Sequence, residues 1–116
     1  SLWKVFKESV DKGIAAYHTL AKQEADTYDF EDPIAINRLG YEVLRAGKTE
    51  AAISTFEFGV SLFPNEANLY DSLGEAYLAN TDYERALLNY KKAIALGGTN
   101  GNAKKKVNSI RNSIQN

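Results

Sequence analysis

The chain has 116 residues, which is enough for one small domain or a short array of repeats but not for two independent cores. Hydrophobic residues make up 44% and charged residues 25%, so the composition excludes intrinsic disorder and a collagen-like chain. A net charge of −1 argues against nucleic-acid binding, and the absence of cysteine excludes disulfides and thiolate chemistry without indicating a compartment. No run of about 18 apolar residues occurs, so no membrane span is predicted.

The N-terminal segment, residues 1–32, is predicted to be a helical cap followed by an acidic loop. Its apolar residues recur every three or four positions, which predicts one long helix or two helices broken near Gly13. Residues 24–32 contain five acids and no base, and we expect an ordered loop there rather than a calcium site, because the spacing and glycine of an EF-hand loop are missing. The apolar stripe consists of Trp3, Phe6, Val10, Ile14, Tyr17 and Ala21.

Two interpretations of this apolar stripe stay open. It can cover the open end of the helices that follow, which is our preferred interpretation, or Trp3 and Phe6 can contact an upstream domain. The chain contains no methionine, so Ser1 either follows a removed initiator or marks the edge of a longer protein, and we favour the second.

An internal repeat follows, because a shift of 34 residues superposes 33–66 on 67–100. Each copy has two apolar stripes at spacings of three and four with a polar break between them, which predicts helix, turn, helix. Asp32 is a predicted N-cap, and Gly97 and Gly98 are predicted to end the last of these helices. The equivalent pairs include Leu39 and Leu73, Gly40 and Gly74, Ala52 and Ala86, and Phe56 and Tyr90.

These positions resemble the tetratricopeptide repeat (TPR) family, which places Leu-Gly, alanine and an aromatic residue at the same points of a 34-residue unit. The resemblance implies an all-α, TPR-like superhelix of two helix-turn-helix repeats, at 33–66 and 67–100. The tail, residues 101–116, has apolar residues on one helical side and is predicted to be a capping helix. Its bases, Lys104 to Lys106, are interpreted as a solvated face, with contact to an anionic partner as the alternative.

The resemblance also implies a peptide-binding concave face formed by the first helix of each repeat. Asparagine amides can hydrogen-bond a peptide backbone, so Asn37 and Asn68 are the favoured contacts. Asp71 and Glu75 favour a basic or polar ligand and differ from the basic clamp with which some family members hold chaperone C-termini. The predicted site comprises Asn37, Tyr41, Leu44, Arg45, Asn68, Asp71, Glu75 and Leu78, with Ile34 and Ala79 at further family contact positions.

No catalytic, cofactor or metal site is predicted. His18 is the only histidine, and no nucleophile motif accompanies it. Asp71 and Glu75 lie four residues apart, as a glycosidase pair could, but a polar groove wall is the better interpretation on a repeat helix. We therefore expect a non-catalytic module whose ligand is a protein or peptide.

A narrower resemblance concerns the C-terminal repeat tails of bacterial serine hydrolases, either β-lactamase-like or of the esterase type. It lies in the run from Ile36 to Leu44 and in Phe63 to Tyr77, preceded by a helix with Gly-Ile-Ala-Ala-Tyr. This resemblance implies a bacterial protein whose upstream hydrolase domain carries any chemistry and could itself be the partner of the repeats. The alternative to a peptide-binding module is a structural or oligomerising appendage with no separate ligand. We expect a monomer or a weak dimer.

Overall fold

A computed structural model describes residues 32–98 and 101–115, and every regular element in these ranges is an α-helix. Of the predicted N-terminal helical cap and acidic loop, residues 1–32, all but Asp32 lie outside the described residues. The helices are α1 Pro33–Arg45, α2 Thr49–Leu62, α3 Ala67–Ala79, α4 Tyr83–Ala95 and α5 Asn102–Gln115. They form two antiparallel hairpins, α1 with α2 and α3 with α4, and α5 packs on α4.

Side-chain caps begin α1 and α4. The carboxylate of Asp32 accepts a hydrogen bond of 2.9 Å from the backbone N–H of Ile34, as predicted, and Pro33 occupies the first turn, where its missing N–H costs nothing. In α4, the carboxylate of Asp82 accepts from the backbone N–H of Arg85 and pairs with its guanidinium at 2.7 Å. Each cap satisfies one backbone donor that has no partner within its helix.

One type of turn ends α1, α3 and α4. The residue after each C-cap has a positive φ, and the two N–H groups that follow the C-cap bond back to carbonyls of the last helical turn, which is the Schellman arrangement. Gly47 and Gly97 occupy this left-handed position in α1 and α4, with φ of 81° and 86°. In α3 the position belongs to Thr81, with φ of 59°. The turn after α4 confirms the predicted roles of Gly97 and Gly98.

The core lies between the helices of each hairpin and between the two hairpins. We call the second helix of each hairpin, α2 and α4, the outer helix. The largest fully buried side chains of the core are one aromatic residue from each outer helix, Phe56 and Tyr90, with Ile36 and Leu69 beside them. The small residues leave room for these rings, since Gly40 faces Phe56, Gly74 faces Tyr90, and Ala52 and Ala86 are fully buried at the crossings. The helices can therefore approach closely at these points.

The last helix, α5, covers the outer face of α4 with one apolar side. Ala103, Val107 and Ile110 are buried, while Ile114, one turn further on, is 55% exposed. Lys104 and Lys105 are exposed on the opposite side. This is the capping helix that the apolar spacing of the tail predicts.

Candidate functional site

The first helices of the two hairpins, α1 and α3, lie side by side and are joined by polar side chains. The hydroxyl of Tyr41 donates a 2.7 Å hydrogen bond to the carboxylate of Glu75, 34 residues later. The hydroxyl of Ser72 donates a short hydrogen bond of 2.5 Å to the amide oxygen of Asn37. We call the surface formed by these residues with Asp71 and Asn102 the groove.

The third wall of the groove is the start of α5. The amide nitrogen of Asn102 lies 3.3 Å from each carboxylate oxygen of Asp71, so α5 is tied to α3 as α3 is tied to α1. The positive charge of Lys106 also reaches Asp71 and stabilises its ionised form. Three successive helices, α1, α3 and α5, therefore contribute polar groups to one surface.

A small open depression of about 40 Å³ lies where α1 and α3 begin. Both favoured asparagines, Asn37 and Asn68, line it, although they are 31 positions apart in the chain. Ile34, which is 62% exposed, supplies an apolar wall. Because the oxygen of Asn37 already accepts from Ser72, its two amide N–H groups are the part that can serve a ligand.

Burial changes the titration of two groups in the groove. It raises the pKa of Tyr41 to about 12, with the nearby Ser72 hydroxyl opposing the shift and the hydrogen bond to Glu75 adding to it. Burial likewise raises the pKa of Asp71, and the neighbouring charge of Glu75 adds to it, while Asn102 and Lys106 oppose it. Tyr41 is therefore a neutral donor at neutral pH, and the Asp71 carboxylate is held in an unfavourable environment.

The other predicted site residues differ in how accessible they are. Leu44 and Leu78 are half-buried and pack against the core, so only part of each faces outwards. Arg45 and Asn68 are exposed, at the end of α1 and the start of α3. Tyr41 also contacts the ring of Phe56 edge-on, with the ring centroids 5.3 Å apart. That these residues bind a peptide stays a prediction.

Sequence analysis missed two residues of this surface, Ser72 and Asn102, and gave no functional role to the buried Tyr90. Nothing in the local pattern marks Ser72 or Asn102, because their partners lie 35 and 31 residues away. Tyr90 did carry a signal, since its equivalent in the first repeat is Phe56 and the exchange adds a hydroxyl at a core position. That hydroxyl is buried and has no hydrogen-bond partner among the residues that the structure describes.

Neither a metal-binding cluster nor a membrane-spanning helix occurs in the described ranges, 32–98 and 101–115. No three His, Cys, Asp or Glu side chains there come together in a way that could hold a metal ion. None of the described helices has the length and apolar character needed to cross a membrane. His18 lies outside these ranges.

Stacked helical hairpins whose first helices share one face, closed by a further helix, define a TPR-like α-superhelix. A solved structure with this fold is the first TPR of Spaghetti (RPAP3), bound to the HSP90 peptide SRMEEVD. It matches with a TM-score of 0.70 and 21% sequence identity, over 97% of this chain and 92% of that chain. The predicted fold class is therefore confirmed. No family model and no curated protein sequence matches the chain.

Proposed function

We propose that this chain is a non-catalytic protein-interaction module that binds a peptide or a protein surface in the groove formed by α1, α3 and α5. The observation that carries the proposal is the meeting of Asn37 and Asn68 at one open depression. Their amides can bond the backbone of an extended peptide there, which provides affinity with little demand on its sequence.

The similar solved structure supports the class of ligand, because that TPR domain is bound to a peptide. The chemistry of the present groove is different, since Asp71 and Glu75 place two carboxylates where an acidic peptide would be repelled. Adjacent helices about 10 Å apart and a rise of about 3.3 Å per extended residue limit the bound segment to about four to six residues. We therefore expect weak binding of isolated peptides and stronger binding of a whole protein surface.

The test is selection of binders from a displayed library of random peptides, followed by measurement of their affinity for purified variants. The double variant Asn37→Ala with Asn68→Ala should weaken binding at least about tenfold, because up to two ligand hydrogen bonds are lost. Asn108→Ala removes an exposed amide from the outer side of α5 and should bind as the wild type does. Equal binding by the double variant and the control would disprove the groove proposal.

A second candidate is a structural or oligomerising appendage of a bacterial serine hydrolase, as the narrower sequence resemblance implies. Two exposed leucines on the outer helices support it, Leu62 of α2 at 47% and Leu88 of α4 at 67% exposure. In this case Leu88→Gln should lower the oligomer mass measured by light scattering. A wild-type protein that stays monomeric at high concentration would count against oligomerisation and in favour of the groove.

A further inference from the structure

We infer that the groove contains a binding site for a lysine or arginine side chain of the partner, formed by Asp71, Glu75 and the hydroxyl of Tyr90. This inference rests on the proposed function and names the class of residue that the groove recognises. It is carried by an unsatisfied buried hydroxyl, by the packing of its ring against the helix that bears two carboxylates, and by the lack of an ion pair to those carboxylates among the described residues.

The hydroxyl of Tyr90 is the first observation. The side chain is fully buried, and its oxygen has no hydrogen-bond partner in the described part of the chain. A buried polar group without a partner is costly, and native proteins satisfy nearly all of them. Packing does not require the hydroxyl, because Phe56 fills the equivalent place of the first repeat with a plain phenyl ring that is equally buried. A bound group from outside the chain is the natural partner.

The second observation is the position of the Tyr90 ring. The ring of Tyr90 lies flat against Gly74, with three ring carbons 3.0 Å from the place where a Cβ would be. Glu75 follows Gly74 directly, and Asp71 lies one turn earlier on the same helix. Burial raises the pKa of Tyr90, and the charges of Glu75 and Asp71 add to this, so the phenol is neutral and lies within the electrostatic influence of both carboxylates.

The third observation concerns charge. Among the residues that the structure describes, neither Asp71 nor Glu75 forms an ion pair, whereas Asp82 pairs with Arg85. The groups that contact the two carboxylates are neutral donors, the amide of Asn102 and the hydroxyl of Tyr41. Lys106 acts on Asp71 only through its charge. Each carboxylate therefore keeps free lone pairs beside a like charge.

A cationic side chain satisfies all three observations together. The ammonium of a lysine has three N–H donors, which match one oxygen each from Asp71, Glu75 and Tyr90, and an arginine guanidinium has five. Bringing a cation between the carboxylates also removes their mutual repulsion. An acidic side chain gains none of this, and an apolar one leaves the Tyr90 hydroxyl unsatisfied.

The experiment uses capped peptides of the form Ala-Ala-X-Ala-Ala, with lysine, arginine, norleucine or glutamate at X, titrated into the whole chain and followed by NMR shifts of the α3 and α5 amides. We expect the lysine or the arginine peptide to bind about tenfold more tightly than the norleucine peptide, the effect of one or two charge-assisted hydrogen bonds. Tyr90→Phe should lose most of this preference and Glu75→Gln all of it. Glu84→Gln removes an exposed carboxylate of α4 and should leave the preference unchanged.

Thermal unfolding of the same variants separates binding from folding. Tyr90→Phe should unfold at the same or a higher temperature than the wild type, because it removes an unsatisfied group and keeps the ring. A lower unfolding temperature would mean that the hydroxyl is bonded within the protein and would overturn the inference. So would equal binding of the lysine, arginine and norleucine peptides, or a high-resolution structure in which an ordered water alone satisfies Tyr90.

This inference and the proposed function can fail separately. Suppose that the selected peptides bind the wild type, lose affinity for the Asn37 and Asn68 double variant and contain no lysine or arginine. This result would disprove the cation site and support the groove. If the selected peptides bind the double variant normally, and the lysine and arginine peptides shift no α3 or α5 amide, both fail.

Discussion

At the scale of single residues, the two repeats have different residues at one backbone position of the same conformation. Gly47 and Thr81 are equivalent, 34 residues apart, and both adopt a left-handed conformation after the C-cap of a first helix. Glycine adopts this conformation without steric cost, whereas a β-branched residue is strained there. Thr81 is exposed, and its hydroxyl donates a local, exposed hydrogen bond of 2.7 Å to the backbone carbonyl of Asn80.

We therefore expect Thr81→Gly to stabilise the protein by about 1 kcal/mol, as relief of the left-handed strain outweighs the extra freedom of glycine in the unfolded chain. The free energy of unfolding in urea would show it. Gly47→Thr is the matched reverse change and should destabilise by a similar amount. If both variants shift stability in the same direction, the backbone explanation is wrong.

A second residue-scale prediction compares Gly40 with Gly74, which occupy the same repeat position. A Cβ on Gly40 would lie 2.5 and 2.7 Å from two carbons of the buried Phe56 ring and closer still to a third, whereas a Cβ on Gly74 would lie 3.0 Å from Tyr90. We expect Gly40→Ala to cost about 1–3 kcal/mol through overpacking. Gly74→Ala should be close to neutral, because the alanine gains helix propensity. Equal losses in chemical denaturation would contradict this difference.

At the scale of elements, α5 contributes to stability through one face only. Ile110 is 3% exposed and Ile114 is 55% exposed, on the same helix. Ile110→Ala should therefore destabilise the protein by about 2–4 kcal/mol, because it leaves a cavity against α4. Ile114→Ala, the matched control, should cost less than about 1 kcal/mol. Similar values for the two, measured by denaturant unfolding, would show that α5 does not dock as described.

Hydrogen bonds between helices hold the groove together. The Tyr41–Glu75 and Ser72–Asn37 hydrogen bonds join α1 to α3, and the Asn102–Asp71 contact joins α3 to α5. Another hydrogen bond joins the two hairpins elsewhere, because the hydroxyl of Tyr77 on α3 donates to the carboxylate of Glu57 on α2. The binding surface and the contacts between hairpins therefore share residues, so variants of Tyr41 or Ser72 are expected to change stability as well as binding.

At the scale of the whole molecule, Asp71 and Asp82 should make the stability of the fold depend on pH in opposite directions. Burial raises the pKa of Asp71 in the folded protein above its usual 3.8, so ionisation of Asp71 opposes folding. This penalty is absent at a pH below the pKa in the unfolded chain, and it develops as the pH rises through the pKa in the folded protein. The hydrogen bonds from Arg85 lower the pKa of Asp82, so its contribution is present above 3.8 and is lost as pH falls through the folded value.

Asp71→Asn should therefore raise the melting temperature at pH 7, with the gain disappearing below pH about 4, and Asp82→Asn should lower it at pH 7. Asparagine still accepts from Asn102 in the first case and still caps α4 in the second, so charge is the main change in both. Melting curves measured across this pH range would check the signs. A loss of stability in Asp71→Asn at pH 7 would show that the folded protein favours the ionised carboxylate.

Much of the fold could be predicted from the sequence because it is encoded in short-range spacings. Apolar residues three and four apart predicted each described helix, Asp32 and Gly97 marked a start and an end, and the 34-residue period predicted the stacking of hairpins. The same period placed Tyr41 and Glu75 at equivalent positions of successive helices. These features depend on local backbone geometry, which neighbouring residues determine.

Only the tertiary structure decided which polar atoms meet. The side-chain partners of Asp71, Ser72 and Glu75 lie more than 30 residues away, and whether these side chains touch depends on how closely neighbouring helices pack. Likewise, the pattern marks Tyr90 as a core aromatic, but the burial of its hydroxyl without a partner follows from the position of its ring against Gly74. Hydrogen bonding requires positions accurate to a few tenths of an ångström, which helical periodicity does not specify and close packing does.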